Sequence, residues 1–385
     1  MPHKHTSPQR IAFISALTGV PWGGSEELWS RAAALLHQRG HAVFANTHWW
    51  PQKPIKLQQL ENGGVQVTQR RFRARDKILD DTLWRGRLQA KIYGWLDEVK
   101  PELVVISLDS QCAGRDWMAA CIARNLPYVL IVQAVIEQYW PGDAANLLLA
   151  EGYRKSRKIY CVSHKNREWL QTQFAQDLPQ AEVTWNPFNV PFEEAPAWPT
   201  DAGSLRLACI GRLDPVAKGH DILFRVLQQP KWKARALTVS IIGEGGYEQS
   251  LRNLAQYCGL ENVTFVPFTN DIRAVWQTHH GLVLPSRFEG FPLVVLEAMF
   301  SARPCIVTDV AGNAELIEDG VSGFVAKAPT VEFVDEALER LWSAWERGEL
   351  QTAGQQAAKA TRTAITAPPE ESFAHKLESL FAPTS

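Results

Sequence analysis

The sequence has few cysteines, no surplus of charge of either sign and no long hydrophobic run. Its 385 residues hold six cysteines without a Cys-x-x-Cys pair, so neither a disulfide framework nor a zinc site of that spacing is predicted. Lys and Arg total 40 against 41 Asp and Glu, which gives no support to a nucleic-acid-binding protein. No run approaches the roughly 18 apolar residues of a membrane span. The polar N-terminus shows no secretory signal, and we expect a cytoplasmic protein.

The sequence does contain short apolar runs that alternate with segments of helical periodicity. At about 150 residues per domain, its length favours two or three domains. Continuous apolar strands separated by helices predict α/β domains with parallel sheets. Two series of such strands are present, at 10–15, 41–46, 65–68, 102–107, 127–132 and 158–163, and then at 205–210, 236–242, 262–266, 281–285, 304–308 and 323–326.

Three prolines in residues 191–204 mark the junction between the two strand series, which we interpret as a linker. The predicted architecture is therefore two Rossmann-like, doubly wound parallel-sheet domains, at 1–190 and 205–366, facing across a cleft. A final segment, 367–385, contains a predicted helix over 370–381. In doubly wound sheets ligands bind beyond the carboxyl ends of the strands, which places the expected site in the cleft.

The most informative segment follows the strand that ends at Pro285. A loop carries Glu289, Pro292 is suited to the first position of a helix, and Glu297 lies about a turn and a half into that helix. Free N–H groups at a helix start suit a phosphate, and the two carboxylates suit two ends of a long ligand, sugar hydroxyls at one and a ribose diol at the other. Eight helical residues span about 12 Å, which is less suited to the two carboxylates of a glycosidase.

Two further loops of the second series have the same strand–loop–helix form. Arg212 and Lys218 bracket the loop after the strand 205–210, and two cations beyond a strand end suit a diphosphate. After the next strand, Gly243 begins a Gly-rich turn that permits close approach of a nucleotide. In the first series, Gly23 and Gly24 precede a helix as an anion or sugar contact, and Trp22 beside them is suited to stacking on a sugar ring.

In their order along the chain, these motifs resemble those of glycosyltransferase family 4, a group of retaining enzymes with the GT-B fold (also called group 1 glycosyltransferases). The resemblance covers most of the chain. Its motifs are Gly23-Gly24, Asn186-Pro187-Phe188, Gly211-Arg212, Lys218-Gly219, Gly243-Glu244-Gly245, Glu289-x7-Glu297, Gly312-Asn313-Ala314-Glu315, Asp319-Gly320 and Gly323-Phe324.

The resemblance implies a retaining transfer of a sugar, of hexosyltransferase type, from a nucleotide-diphosphate donor to a hydroxyl acceptor in polysaccharide or glycoconjugate biosynthesis. It assigns catalysis to Glu289, Arg212 and Lys218. The remaining donor-binding residues are Gly211, Gly243, Gly290, Phe291, Pro292, Leu293 and Glu297. No Asp-x-Asp motif occurs, which agrees with the metal-independent chemistry of the family, and the nucleotide sugar is a substrate rather than a cofactor. The N-terminal domain is expected to bind the acceptor, a sugar, a lipid-linked group or another hydroxyl compound, and the final helix to cross back onto it.

The chain departs from the family where histidines often follow two N-terminal strands. Ser107 to Ser110 and Gln133 stand there instead, so no catalytic histidine is carried over. The candidate acceptor-binding residues are Trp22, Gly23, Gly24, Asp109, Asp116, Gln133 and Glu137. Because of this departure, a non-catalytic module that only binds sugar nucleotides is an alternative interpretation. A sugar-nucleotide epimerase on the same fold is a further alternative.

Two other features of the sequence have alternative interpretations. Residues 69–91 interleave eight Lys and Arg with apolar side chains, which permits peripheral contact with an anionic membrane at the inner face, through Arg70, Arg71, Arg73 and Arg75. An ordinary solvated segment is the alternative. The pair His279-His280 has no ligand partner at metal-site spacing, and we expect no metal there.

Overall fold

The computed structural model describes residues 7–71, 93–190, 194–200 and 203–381. The chain folds as two units: unit 1 is residues 1–187 with 367–385, and unit 2 is residues 188–366. Each unit is built on one parallel sheet, whose central strands, such as Leu103–Leu108 and Gly281–Leu284, are buried along their whole length and are covered on both faces.

The sheet of unit 1 has the strand order β3-β2-β1-β4-β5-β6-β7. Its strands are β1 (Arg10–Ser15), β2 (Ala42–His48), β3 (Gln66–Arg70), β4 (Leu103–Leu108), β5 (Tyr128–Val132), β6 (Lys158–Cys161) and β7 (Ala181–Val183). In the parallel register Ile14 lies beside Asn46 and Ser15 beside Ser107. The carboxyl ends of β1, β2 and β4 therefore meet at one edge of the sheet.

The helices of unit 1 pack their apolar sides on this sheet. They are α1 (Glu27–Gln38), α2 (Ile55–Asn62), α3 (Trp95–Val99), α4 (Arg115–Ala123), α5 (Asp143–Lys155), α6 (His164–Phe174) and, from the end of the chain, α15 (Pro369–Ser379). A 3₁₀ turn, Gly24–Glu26, precedes α1. Helix α15 packs against α1, and its buried Phe373 and Leu377 share a core with Leu28 and Trp29.

The sheet of unit 2 has the order β10-β9-β8-β11-β12-β13. Its strands are β8 (Leu205–Ile210), β9 (Leu237–Ile242), β10 (Val263–Val266), β11 (Gly281–Leu284), β12 (Cys305–Thr308) and β13 (Gly323–Ala326). The helices are α7 (Pro215–Lys218), α8 (His220–Leu227), α9 (Pro230–Ala234), α10 (Glu248–Tyr257), α11 (Ile272–Thr278), α12 (Leu293–Phe300), α13 (Val331–Glu346) and α14 (Leu350–Ala364). The loops after β8, β9, β11 and β12 thus leave four adjacent strands at one sheet edge.

The predicted strands agree with the observed ones to within one or two residues, and the α/β class with doubly wound parallel sheets is confirmed. One strand, β7, was not predicted.

The predicted linker 191–204 differs from what the structure shows, because its described part packs on unit 2. The buried Arg303 guanidinium donates to the carbonyl of Ala197 at 2.6 Å, and Trp198 lies under that guanidinium at 4.9 Å. The expected domain boundary at 190 falls at 187, where unit 2 begins with Phe188.

Candidate functional site

The candidate donor site lies at the carboxyl edge of the unit 2 sheet, and glycines permit its loops to approach each other. A Cβ on Gly243 would lie 2.0 Å from the carbonyl oxygen of Gly211, so only glycine fits between the loops after β8 and β9. A Cβ on Gly219 (φ +65°) would lie 2.1 Å from the carbonyl oxygen of Pro285. The loop after β8 is therefore in backbone contact with the loops on either side of it.

Lys218 and Glu289, two predicted catalytic residues, are in direct contact. Asp214 caps the short helix α7, accepting from the N–H groups of Val216 and Ala217, and Lys218 is the last residue of that helix. Lys218 Nζ donates to Glu289 Oε1 at 2.5 Å, and the Ser286 hydroxyl donates to the same oxygen at 2.7 Å. The loops after β8 and β11 are thus joined by an ion pair that is largely shielded from solvent.

A second ion pair, which the sequence analysis missed, fixes the same two loops. Arg287 binds Asp221 in bidentate fashion, with both distances 2.7 Å, and also donates to the Pro215 carbonyl at 2.7 Å. Burial alone would raise the pKa of Asp221, but the hydrogen bonds and charge of Arg287 lower it below its usual range. Arg287 therefore positions the loop that carries Glu289 against α7 and α8.

Arg212 lies on the loop after β8, half-exposed, with its guanidinium 3.2 Å from Asp214. An exposed guanidinium held at a strand end is available to a ligand anion. Gly211, Arg212, Lys218, Gly243 and Glu289 are therefore brought to one region of unit 2, as the motif order predicted.

The start of α12 adjoins this region. Pro292 is its N-cap rather than its first residue, and Leu293 begins the helix. Phe291 is buried, and the Gly290 carbonyl accepts from the Gly312 N–H at 3.0 Å, which ties the loop to the one after β12. The first N–H groups of a helix lack partners within it, so the start of α12 offers donors toward an anion.

Glu297, the second carboxylate of the motif, is only 4% exposed. Both the backbone N–H and the side-chain amide of Asn189 donate to its Oε1, at 3.1 and 3.0 Å. Asn189 thus fixes the orientation of this buried carboxylate. The sequence signal for Asn189 was weak, because it lies about 100 residues before its partner.

The candidate acceptor-binding residues of unit 1 occupy several places along its sheet edge. Gln133 is buried after β5, where its Oε1 accepts from Asn186 at 2.8 Å. Burial raises the pKa of Asp109, which follows β4. Asp116 lies in the first turn of α4, and the Glu137 carbonyl accepts from the Trp140 indole at 3.0 Å.

Trp22, Gly23 and Gly24 lie before α1, next to a small pocket. The pocket has room for about one water molecule, and its walls include Trp22, Glu26 and Trp50. A Cβ on Gly23 would meet neighbours only at ordinary contact distance, so glycine is not required there by space. Among the residues that line this pocket, Trp22 is the one predicted from the sequence.

The interpretation of residues 69–91 as a membrane contact is wrong for Arg70. Its side chain is buried and donates to the Asn46 carbonyl and side chain at 3.0 and 2.9 Å and to the Ser15 carbonyl. Arg71 lies over the Trp49 ring at 3.6 Å. Residues 72–91 of this segment, including Arg73 and Arg75, lie outside the described residues. No described helix combines the length and apolarity that crossing a membrane requires.

The pair His279-His280 has a structural explanation. His280 is fully buried, its Nδ1 accepts from the Arg206 N–H at 3.0 Å, and burial lowers its pKa to about 4. His279 Nε2 lies 2.9 Å from the Ser240 hydroxyl.

Comparison with known proteins agrees with this geometry. Residues 204–344 match the family model described as Glycosyl transferases group 1. An uncharacterized glycosyltransferase of Haemophilus influenzae is 34% identical over 126 residues, 32% of this chain and 36% of that protein. The Vi polysaccharide biosynthesis protein VipC/TviE of Salmonella typhi is 27% identical over 241 residues, 58% of this chain and 40% of that protein. The alignments thus span less than half of either relative.

Among solved structures, Anabaena HepE in complex with UDP and glucose is similar over 96% of this chain and all of that one, with a TM-score of 0.75 and 18% identity. The comparisons and the two parallel sheets identify the fold as GT-B. The residues that match the model of group 1 glycosyltransferases make up most of unit 2 and contain the motifs from Gly211-Arg212 to Gly323-Phe324.

Proposed function

We propose that this protein is a retaining hexosyltransferase that moves a sugar from a nucleotide-diphosphate donor to a hydroxyl acceptor in the biosynthesis of a polysaccharide or another glycoconjugate. The observation that carries the proposal is the meeting of Arg212, Lys218, Glu289 and the start of α12 at one sheet edge of unit 2. The match of this unit to group 1 glycosyltransferases and the similarity to a polysaccharide biosynthesis protein support it.

The proposed chemistry follows from the place at which negative charge develops during the transfer. When the bond between the anomeric carbon and the phosphate oxygen breaks, negative charge accumulates on the departing diphosphate. Arg212, Lys218 and the N–H groups at the start of α12 stabilise that charge, and fixed groups of this kind cost no reorganisation during reaction. The acceptor oxygen bonds to the anomeric carbon on the face that the phosphate leaves, and its proton passes to the departing phosphate oxygen. Retention then requires no base from the protein.

Each donor-site carboxylate has a distinct task in this scheme. Glu289, positioned by Lys218 and Ser286, accepts hydrogen bonds from the hydroxyls of the donor sugar. Glu297, oriented by Asn189, binds the ribose hydroxyls of the nucleotide. The N-terminal unit binds the acceptor, a sugar or a lipid-linked or other hydroxyl compound, and the enzyme acts in the cytoplasm.

A donor screen tests the proposal. Calorimetric titration of the full-length protein with UDP-, GDP- and ADP-sugars is expected to give binding of at least one donor, and incubation with that donor is expected to release nucleoside diphosphate slowly by hydrolysis. Anomeric configuration of the product, followed by NMR, tests retention. Binding of a donor without any release of nucleoside diphosphate would instead indicate a module that only binds sugar nucleotides, and the absence of binding to every donor would refute the proposal.

A further inference from the structure

The chain crosses between the two units twice, and next to each crossing a residue of unit 2 contacts helix α12. Unit 2 begins at Phe188 and ends at Thr366. Directly after the first crossing, the Phe188 ring stacks on the Phe300 ring, with the ring centroids 4.2 Å apart. Shortly before the second crossing, Arg362 of α14 donates to the Phe300 carbonyl at 3.0 Å and lies over the same ring at 5.6 Å. Both connections are therefore attached to the last residue of α12.

The same helix carries Glu297, one turn before Phe300, so these two side chains lie on the same side of α12. Asn189, the neighbour of Phe188, donates to Glu297 Oε1 from its backbone N–H at 3.1 Å and from its side-chain amide at 3.0 Å. Residues 188 and 189 are thus docked on α12 through one ring stack and two hydrogen bonds.

The two partners in these hydrogen bonds differ in exposure. Glu297 is 4% exposed, whereas Asn189 is exposed and covers it. A carboxylate at this depth is costly unless hydrogen-bond donors compensate it, and Asn189 supplies two donors to one oxygen. Because both donors bind Oε1, they fix the rotation of the carboxylate and with it the direction in which Oε2 points.

The docking of residues 188 and 189 and the orientation of Glu297 form one equilibrium. A ribose hydroxyl that donates to Glu297 requires the carboxylate in one orientation, and Asn189 stabilises that orientation only while it is docked on α12. Each event therefore favours the other, and thermodynamic linkage requires the two effects to be equal in free energy.

We propose that Asn189 is a positioning residue for the nucleotide: it orients Glu297 toward the ribose, and ribose binding in turn holds residues 188 and 189 on α12. The inference rests on the proposed function, which assigns Glu297 to the ribose hydroxyls. It goes beyond that assignment because it couples nucleotide binding to the attachment of the segment that follows the first crossing.

Calorimetric titration of the full-length protein with UDP, GDP and ADP and with their 2′-deoxy forms tests the positioning role. For at least one base, the wild type is expected to bind the ribonucleotide about tenfold more tightly, since a hydrogen bond to a charged group contributes about that much. Asn189→Asp keeps the size of the side chain but replaces its donor by a second carboxylate beside Glu297. It is expected to bring the two affinities to within about threefold of each other, whereas a merely structural role would weaken both equally.

Asn253→Asp is the matched control. Asn253 is exposed on α10 of the same unit, where its Oδ1 accepts from the Gln249 amide at 2.9 Å, a bond that an aspartate keeps. This variant is expected to retain the full preference for the ribonucleotide. If Asn189→Asp fails to fold by circular dichroism, Asn189→Ala, which loses the side-chain donor alone, provides the same comparison.

Hydrogen exchange measured by mass spectrometry tests the coupling. The ribonucleotide is expected to slow exchange in wild-type peptides that contain Asn189, because the N–H of this residue donates to Glu297. Phe188→Ala removes the ring stack and leaves both hydrogen-bonding side chains in place. It is expected to reduce this protection and to weaken nucleotide binding together, as reciprocal coupling requires.

The outcomes keep this inference apart from the proposed function. An unchanged preference for the ribonucleotide in folded Asn189→Asp would refute the positioning role and leave donor binding intact. Equal binding of both nucleotides by the wild type would remove the ribose from Glu297 and overturn the inference, while release of nucleoside diphosphate from a donor still reports on transfer. Binding of no nucleotide to the wild type would refute both proposals.

Discussion

The Lys218 ammonium is held against Glu289, and this contact fixes a flexible side chain at the place where we propose that the donor diphosphate binds. Lysine has several rotatable bonds, and each must be fixed when an anion binds. The 2.5 Å contact with Glu289, itself held by Ser286, fixes them in advance. The same contact joins two loops that the sequence separates by about 70 residues.

Replacing either member of this pair is expected to impair catalysis. Lys218→Ala and Glu289→Ala should each lower the rate of donor turnover at least tenfold, equivalent to about 1.4 kcal/mol of transition-state stabilisation. Lys218→Ala removes the positive charge that stabilises the leaving diphosphate. Glu289→Ala removes the carboxylate that accepts hydrogen bonds from the donor sugar, and it removes the ion-pair partner of Lys218. Initial rates with a saturating donor measure the effect. Lys327→Ala, an exposed lysine of the same unit, is the control, and unchanged rates in both site variants would refute the assignment.

Glu26 makes the stability of the protein dependent on pH. Its pKa of about 7 in the folded state lies above the ordinary value of 4.5, so the folded state binds the proton more tightly than the unfolded state does. The stabilisation from this proton is complete below pH 4.5 and is lost as the pH rises through 7. A difference of this size corresponds to about 3 kcal/mol of free energy of unfolding.

Glu26→Gln removes that titration, so its effect on stability is expected to change with pH. The free energy of unfolding of the variant minus that of the wild type should increase by up to about 3 kcal/mol between pH 4.5 and pH 8. Urea unfolding followed by circular dichroism at several pH values measures this difference. Glu151→Gln, at a half-exposed carboxylate whose pKa is lowered by Lys155, should show little such trend, because Glu151 stays ionised in this range. A constant difference across the range would mean that Glu26 does not titrate near neutral pH.

At the scale of elements, central strands such as β4, β5 and β11 were predictable because burial on both faces leaves them almost entirely apolar. The run Leu-Val-Val-Ile in β4 and the run Gly-Leu-Val-Leu in β11 are short and continuously apolar, which favours buried strands. β7 was missed because three residues, Ala-Glu-Val, at the sheet edge carry no such signal. Contacts between loops could not be predicted from the sequence either. The ion pair of Arg287 with Asp221, for example, depends on β8 and β11 being neighbours in the sheet.

The close approach of the loops after β8 and β9 is expected to make Gly243 intolerant of a side chain. Gly243→Ala would place a Cβ 2.0 Å from the Gly211 carbonyl oxygen, at a φ of +152° that L-residues rarely adopt. We expect a loss of about 2–4 kcal/mol of stability and weaker donor binding. Gly246→Ala, three residues on, meets nothing within 4 Å and is the matched control. Similar melting temperatures for the two variants would contradict the described packing.

For the whole molecule, the residues of the candidate donor site could be located from the sequence, whereas most residues of the pocket before α1 could not, and the reason is physical. The candidate donor residues lie in loops that each follow a strand and precede a helix. Each motif therefore predicts its own position in the fold. The pocket of unit 1 draws Glu26 from the start of α1 and Thr47, His48 and Trp50 from the end of β2. The parallel pairing of β1 with β2 brings these residues together, and no single segment of the sequence predicts that pairing.

The last helix, α15, allows the division of the chain into two units to be tested. Although α15 follows unit 2 in sequence, Phe373 is fully buried in unit 1, with its ring edge-on to Tyr160 at 5.0 Å. Phe373→Ala is expected to cost about 3–5 kcal/mol through the cavity it leaves. Hydrogen exchange measured by mass spectrometry should then accelerate in peptides of α1 and β6, while peptides of unit 2 such as β9 and β12 keep their protection. Phe268→Ala, an exposed phenylalanine of unit 2, controls for loss of the ring alone. Equal acceleration in both units would show that the chain unfolds as one cooperative body, because α15 would then couple the two cores rather than complete one of them.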